Sequence, residues 1–270
     1  MIAQIALQTL LKKEQVQQVI DLLQADATIP FIARYRKEKT GGLDEVQIAK
    51  IRDLLEQITS FQQRKETIKK SLEDQGIDSP ELLAQLEKLQ DKAELEDFYL
   101  PYKPKRKTKA SIAKERGLEG LAKMMMSQSH SDIESSARRF INSEVANIEE
   151  ALQGARDIIA EWISEDAPLR KRMRRLFQKE GELISTVIKG KEEVGDRFKM
   201  YFKHSESVQY AASHRVLAMY RGEKEGYLRL KLEPHADRAL ELIESQYIKR
   251  DSTTRNHLLL AIKDAYKRLL

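Results

Sequence analysis

The 270-residue sequence contains no cysteine. Disulfides, thiolate zinc sites and cysteine nucleophiles are therefore excluded, and nothing indicates an oxidising compartment. Proline and glycine are scarce, at 6 and 11 occurrences, which argues against a turn-rich β-sandwich. No apolar run approaches the ~20 residues of a membrane-spanning helix, and the first residues do not resemble a signal peptide. We expect a cytoplasmic protein that makes no membrane contact.

The motifs of common enzyme and cofactor sites are missing as well. No glycine pair forms the G-x-G of a dinucleotide loop, and Gly190-Lys191 lacks the earlier glycine and the following hydroxyl of a P-loop. The histidines are never three or four residues apart, which removes the simplest metal site on a helix. We therefore expect no catalytic residue, no metal and no cofactor.

Apolar residues recur at helical spacing along most of the chain, and residues 44–75 hold the most regular pattern. Asp44 is the expected N-cap of this helix, and Gly76 lies where a helix-ending glycine belongs. Lys65 is the only polar residue of its heptad seam. The apolar seam residues are Ile51, Leu54, Ile58, Phe61, Ile68 and Leu72. The pattern predicts a long helix packed against neighbours, since so few heptads do not force dimerisation, and it leaves the oligomeric state open.

One segment has the alternating pattern of a β-strand, at residues 226–232. An isolated strand is unstable, so it needs a partner. That partner is either the stretch around Ser185, whose composition fits a strand or a helix, or a segment outside this chain. The predicted fold class is mainly α: multihelical, with one long central helix and a small β element near residues 226–232.

The chain divides near its proline-containing basic segment. We predict an N-terminal helical subdomain at residues 1–102, which contains the long helix, and a second helical subdomain at residues 103–270. The last apolar pattern runs from Thr253 to Leu270 without a stop signal. We therefore expect the chain to continue in a longer protein.

The net charge of +5 conceals two strongly basic segments. Residues 101–117 carry seven basic residues and one acidic residue, and residues 170–179 carry six basic residues and no acidic one. Such segments suggest contact with a polyanion, although solvated surface charge is the alternative. Pro101 and Pro104 impose extended backbone, and the cations around them cannot all be buried. We interpret residues 103–109 as an exposed basic loop.

A second candidate lies at residues 31–39, where cations alternate with aromatic rings. Guanidinium groups in this segment are suited to bidentate phosphate binding. The alternative is structural, with the apolar residues in the core and the arginines paired with acids. On that interpretation Phe31, Ile32 and Tyr35 face the core of a short helix, and Arg34 and Arg36 pair with Asp44 or Glu45.

Four sequence blocks occur in an order that points to one family. They are Ile29–Glu38 with Thr40–Asp44, Tyr99–Arg106, Gly190–Glu192, and Ser213–Arg215 with Leu217–Gly222. These blocks resemble the bacterial Tex family of transcription accessory proteins and span most of the chain. Phe98 replaces an expected leucine and Ala212 an expected proline, which are small departures.

The resemblance implies the multihelical N-terminal region of a larger cytoplasmic protein, similar in architecture to a eukaryotic transcription elongation factor. In that family an RNase-H-like domain, helix-hairpin-helix elements and a C-terminal OB-fold RNA-binding domain follow. These parts do not fit within 270 residues. The resemblance carries over no catalytic residue.

The residues and the resemblance together predict a non-enzymatic scaffold that contacts the phosphate backbone of RNA or DNA by charge, without reading bases. The first predicted contacts are Lys103, Lys105, Arg106, Lys107 and Lys109, and the second are Arg34, Arg36 and Lys37. RNA polymerase or other transcription machinery is a further expected partner. The alternative is a protein interaction scaffold that docks polymerase or the protein's own other domains and does not touch nucleic acid.

Overall fold

The computed structural model describes residues 1–104, 106–129 and 132–270. These residues form two compact units, Met1–Tyr99 and Leu100–Leu270. They are mostly α-helical with a small antiparallel sheet, which confirms the predicted fold class. Within the described ranges, no helix combines the length and apolar character needed to cross a membrane.

The first unit is built from helices alone. Its elements are α1 (Ile2–Thr9), α2 (Lys13–Gln24), α3 (Ile29–Tyr35), α4 (Lys37–Thr40), α5 (Glu45–Asp74), α6 (Pro80–Lys88) and α7 (Lys92–Tyr99). Apolar side chains of α1, α2, α3 and the first part of α5 form its main core. The fully buried members include Ile5, Val16, Val19, Ile32, Ile48 and Ile51.

Helix α5 is the long helix that the heptad pattern predicts. The Asp44 carboxylate accepts a hydrogen bond from the Gln47 backbone at 2.7 Å, and the Gln47 side chain accepts one from the Asp44 backbone at 3.1 Å. This reciprocal cap fixes the start of the helix. Gly76, with φ at 68°, adopts the left-handed conformation just after the helix. Because α5 contacts α1, α2, α3, α6 and α7, its interpretation as a helix packed against neighbours is confirmed.

Lys65, the polar residue of the seam, is buried against the end of α6. Its ammonium group donates to the backbone carbonyl of Glu87 at 2.7 Å and lies 3.1 Å from the carboxylate of the same residue. A cation at the C-terminal end of a helix satisfies carbonyls that have no partner inside the helix. The polar seam position therefore joins α5 to α6.

The second unit combines helices with a small sheet. Its helices are α8 (Lys109–Glu115), α9 (Glu119–Ser127), α10 (Ile133–Ala137), α11 (Ile148–Glu165), α12 (Ala167–Glu180), α13 (Ser213–Lys224), α14 (Ala236–Tyr247) and α15 (Arg255–Leu269). Its strands are β1 (Glu182–Val187), β2 (Lys203–Ser207) and β3 (Leu228–Glu233). Helix α11 lies at the centre, in contact with α8, α9, α10, α12 and α15.

The strand order in the sheet is β2-β1-β3, and both pairs are antiparallel. Ser185 on β1 is opposite Leu230 on β3 and His204 on β2. The ambiguous stretch around Ser185 is therefore a strand, and it is the partner of the strand predicted at 226–232. That strand begins two residues later than predicted because Gly226, with φ at 76°, belongs to the turn after α13.

Candidate nucleic-acid interface

The basic loop, residues 103–109, leads into α8 at the start of the second unit. Lys103, Arg106, Lys107 and Lys109 are all exposed to solvent, whereas Lys105 lies outside the described residues. Lys107 approaches the Glu115 carboxylate at 3.9 Å, but the two side chains are 78% and 60% exposed. An ion pair this open is weak because water and salt screen it. Within the described ranges, the other three cations have no carboxylate within 4.0 Å.

The end of the basic loop is fixed by a helix cap and a buried acid. The Thr108 hydroxyl accepts a hydrogen bond from the Ser111 backbone at 3.0 Å, which caps α8. The same hydroxyl donates to the Glu161 carboxylate at 3.1 Å, and Lys114 binds the other oxygen of that carboxylate at 2.9 Å. Glu161 lies on α11, and its side chain is only 6% exposed. It therefore ties both the cap and α8 to the central helix.

Glu161 is a positioning residue that the sequence analysis missed. The signal available was a lone acid within an apolar stretch of α11, beside Ile158, Ile159 and Trp162. Charged side chains are rarely buried unless they are paired. A pattern can therefore indicate that such an acid has a partner, but it cannot identify a hydroxyl 53 residues away as that partner.

We expect Glu161→Gln to destabilise the second unit by about 1.5 kcal/mol, because the amide retains an acceptor for Thr108 but loses the charge that holds Lys114. Urea or thermal unfolding measures the loss. Glu115→Gln is the matched control, since its carboxylate is exposed and its pairing is screened, and it is expected to change stability by less than about 0.5 kcal/mol. Equal stability of the two variants would contradict the anchoring role of Glu161.

The second predicted segment is residues 31–39. Its two aromatic rings do not face the core as the structural interpretation expects. Ile32 is fully buried, but Phe31 is 39% exposed and Tyr35 is 63% exposed. The alternative in which Phe31 and Tyr35 face the core is therefore wrong. Helix α3 has only seven residues, so one buried row built around Ile32 and Ala33 is enough to hold it, and the other side remains in solvent.

The cations of this segment are also accessible. Arg34 is exposed and lies 4.0 Å from the Glu45 carboxylate, at the limit of an ion pair. The Arg36 guanidinium lies 5.0 Å from the centre of the Phe31 ring and donates to the Tyr35 carbonyl at 3.2 Å. Lys37 is exposed at the start of α4. The pairing that the structural alternative gives Arg34 is thus present but weak, whereas Arg36 stacks on a ring.

The basic segment at 170–179 forms a stripe on α12. Three of its exposed cations follow one another at steps of four residues, and a fourth is adjacent to the first of them; the three lie on a different side of the helix from the buried Leu169 and Met173. These cations are Lys171, Arg172, Arg175 and Lys179. Arg172 donates to the amide oxygen of Gln246 at 2.9 Å, a partner that carries no charge. The second unit therefore presents two groups of exposed cations.

Arg215, within the predicted family block Ser213–Arg215, forms a charged hydrogen-bonded pair between two elements of the second unit. Its guanidinium donates to the Glu206 carboxylate at 2.7 and 3.0 Å, which joins α13 to strand β2. The hydrogen bonds from Arg215 hold the pKa of the Glu206 carboxyl below its ordinary range, and His204 Nε2 lies 3.3 Å from the same carboxylate. This block therefore stabilises the region around the sheet through a charged hydrogen-bonded pair.

Two protein-family models match this chain. Residues 1–73 match the Tex-like protein N-terminal domain, and residues 128–263 match the Tex central region. The chain therefore belongs to the Tex family, as the sequence blocks predicted.

Named relatives support the same assignment. The chain is 42% identical to the transcriptional accessory protein Tex of Neisseria gonorrhoeae over 86% of its length, which covers 31% of that relative. It is 43% identical to protein YhgF of Escherichia coli over 82% of its length and 29% of the relative. It is 29% identical to the human S1 RNA-binding domain-containing protein 1 over 79% of its length and 22% of the relative. The chain thus spans about a third or less of these curated relatives.

Proposed function

We propose that this chain is a non-enzymatic scaffold of a Tex-like transcription accessory protein and that it binds the phosphate backbone of nucleic acid. The basic loop makes the principal contacts, and Arg34, Arg36 and Lys37 make secondary ones. The observation that carries this proposal concerns Lys103, Arg106, Lys107 and Lys109: each is exposed, and within the described residues each is either unpaired or weakly paired. Cations in that state are available to displace the counterions of a nucleic acid.

The anchor at the end of the loop strengthens the proposal. Glu161 and the Thr108 cap hold the backbone next to Lys107 and Lys109. A phosphate that binds there meets cations whose attachment points are already ordered, so less entropy is lost on binding. Two relatives, one named a transcriptional accessory protein and the other an RNA-binding domain-containing protein, agree with nucleic acid as the partner.

A second candidate function is docking of a protein such as RNA polymerase without nucleic-acid binding. Exposed apolar side chains on α13 favour it, since Leu217 and Tyr220 are mostly in solvent. The two functions differ in their dependence on salt. Phosphate binding weakens steeply as salt rises, whereas apolar docking does not.

Titration of the 270-residue chain with duplex DNA and with single-stranded RNA tests the proposal. Four phosphate contacts on a duplex predict that affinity falls about 150-fold between ~50 and ~200 mM salt. Absence of binding to both nucleic acids at ~50 mM salt would reject nucleic-acid binding and leave the docking function. Metal-dependent cleavage of either nucleic acid by the pure chain would reject the non-enzymatic assignment.

A further inference from the structure

We propose that the exposed side of α3 is a stacking platform for unpaired bases of a single-stranded nucleic acid. The inference rests on the proposed function and adds to it the form of nucleic acid that this part of the chain binds. It starts from an observation that phosphate contacts leave unexplained. Two large aromatic side chains, Phe31 and Tyr35, are 39% and 63% exposed among the cations of residues 34–39.

The two rings form a defined surface. Phe31 and Tyr35 are four residues apart, which places them on the same side of the helix. Their ring centres are 5.4 Å apart, and their planes are inclined by 42°. The opposite side of α3 is fixed by the buried Ile32 and Ala33 and by contact with α5. The rings are therefore presented on a rigid support.

Arg36 extends this surface with a third planar group. Its guanidinium lies 5.0 Å from the centre of the Phe31 ring and is held by the 3.2 Å hydrogen bond to the Tyr35 carbonyl. Aromatic rings and guanidinium planes are the groups on which unpaired bases stack. The guanidinium also supplies positive charge beside the phosphate that accompanies each base.

The surrounding charge selects an anionic occupant. Residues 34–39 contain four basic residues and one acid, Glu38. Of the nearest other acids, Asp44 caps α5 and Glu45 makes only the open contact with Arg34. A surface that combines π faces with excess positive charge matches a nucleic acid. The strand must be unpaired, because bases in a duplex are already stacked on one another and present no free face.

The double variant Phe31→Leu with Tyr35→Leu tests the platform, because it keeps the surface apolar and removes the rings. We expect its affinity for a short unstructured RNA to fall about tenfold, while its affinity for duplex DNA stays within about twofold, since backbone contacts are retained. Tyr210→Leu with Tyr220→Leu is the matched control, because both tyrosines are exposed in the other unit. The control variant is expected to bind both nucleic acids like the unmodified chain.

A spectroscopic measurement tests stacking independently of affinity. Tyr35→Trp keeps a ring at the platform, and the fluorescence that it adds to that of the native Trp162 is expected to be quenched by single-stranded RNA but not by duplex DNA. Unchanged RNA affinity in the double variant, an equal loss for RNA and duplex, or no quenching of the tryptophan overturns the platform while backbone binding by the chain persists. Failure of the unmodified chain to bind either nucleic acid instead overturns the proposed function, and the platform with it.

Discussion

Replacing the four cations Lys105, Arg106, Lys107 and Lys109 by glutamine is expected to weaken duplex DNA binding at least ~100-fold at ~50 mM salt. Each phosphate contact that releases a counterion contributes roughly tenfold in affinity at this salt concentration. The expected loss is therefore large even if one or two of the contacts are partial. Fluorescence anisotropy with a labelled duplex measures it, and an unchanged melting temperature verifies that the variant is folded.

A control variant that loses the same number of charges elsewhere distinguishes binding at the basic loop from nonspecific electrostatic attraction. Lys13, Lys50, Lys263 and Lys267 are exposed, lie outside both predicted segments, and replacing them by glutamine removes the same four charges. This control variant is expected to lose less than about fivefold in affinity, because lysines that make no phosphate contact act only through an attraction that salt screens. A loss equal to that of the loop variant would show that the net charge, not the basic loop, determines binding.

Gly154→Leu is expected to destabilise the second unit by about 3 kcal/mol and to lower its melting temperature by roughly 6–12 °C. Gly154 lies within α11, where glycine ordinarily costs about 1 kcal/mol relative to alanine. It is needed because a β-carbon there would overlap the Leu118 side chain and lie 3.2 Å from that of Ala113. Both neighbours are buried in the same core, so they have little room to move.

Calorimetry of the Gly154→Leu variant measures this effect. Asn256→Leu is the control, because Asn256 is exposed on α15 and a leucine there meets solvent. It is expected to change stability by less than about 0.5 kcal/mol. A melting temperature within about 2 °C of the unmodified chain for Gly154→Leu would mean that α8, α9 and α11 are not closely packed at this point.

Helix α5 shows how much of the fold the sequence predicts. Its heptad seam and the Asp44 cap are local signals, and they locate both ends to within a residue. The role of Lys65 is not local, because its partner is a carbonyl 22 residues further along the chain. Its polarity indicates an exception in the seam, but only the packing of α6 identifies the group that it binds.

The short elements were less predictable for a related reason. Helix α3 contains seven residues, fewer than two and a half turns, so its pattern does not reveal how wide the buried side is. That is why the sequence left open an alternative in which Phe31 and Tyr35 face the core. The stretch around Ser185 was ambiguous because a strand is stabilised by its neighbours, here β2 and β3, which its own residues do not specify.

The candidate site, too, was predictable only in its local features. Prolines and alternating cations mark the basic loop, so its exposure follows from local chemistry. The anchor formed by Glu161 depends on α11 passing beside the start of α8, a contact between distant segments. Sequence reasoning therefore located the cations of the loop but not the group that positions them.

The dependence of duplex affinity on salt, compared between the unmodified chain and the variant with four loop cations replaced, tests the account most directly. We expect the slope of log affinity against log salt to be shallower by about 3.6 in the variant than in the unmodified chain, because the variant loses four phosphate contacts and keeps only Lys103 and the secondary ones. The same slope in both proteins would contradict it, because the contacts that release counterions would then lie elsewhere in the chain.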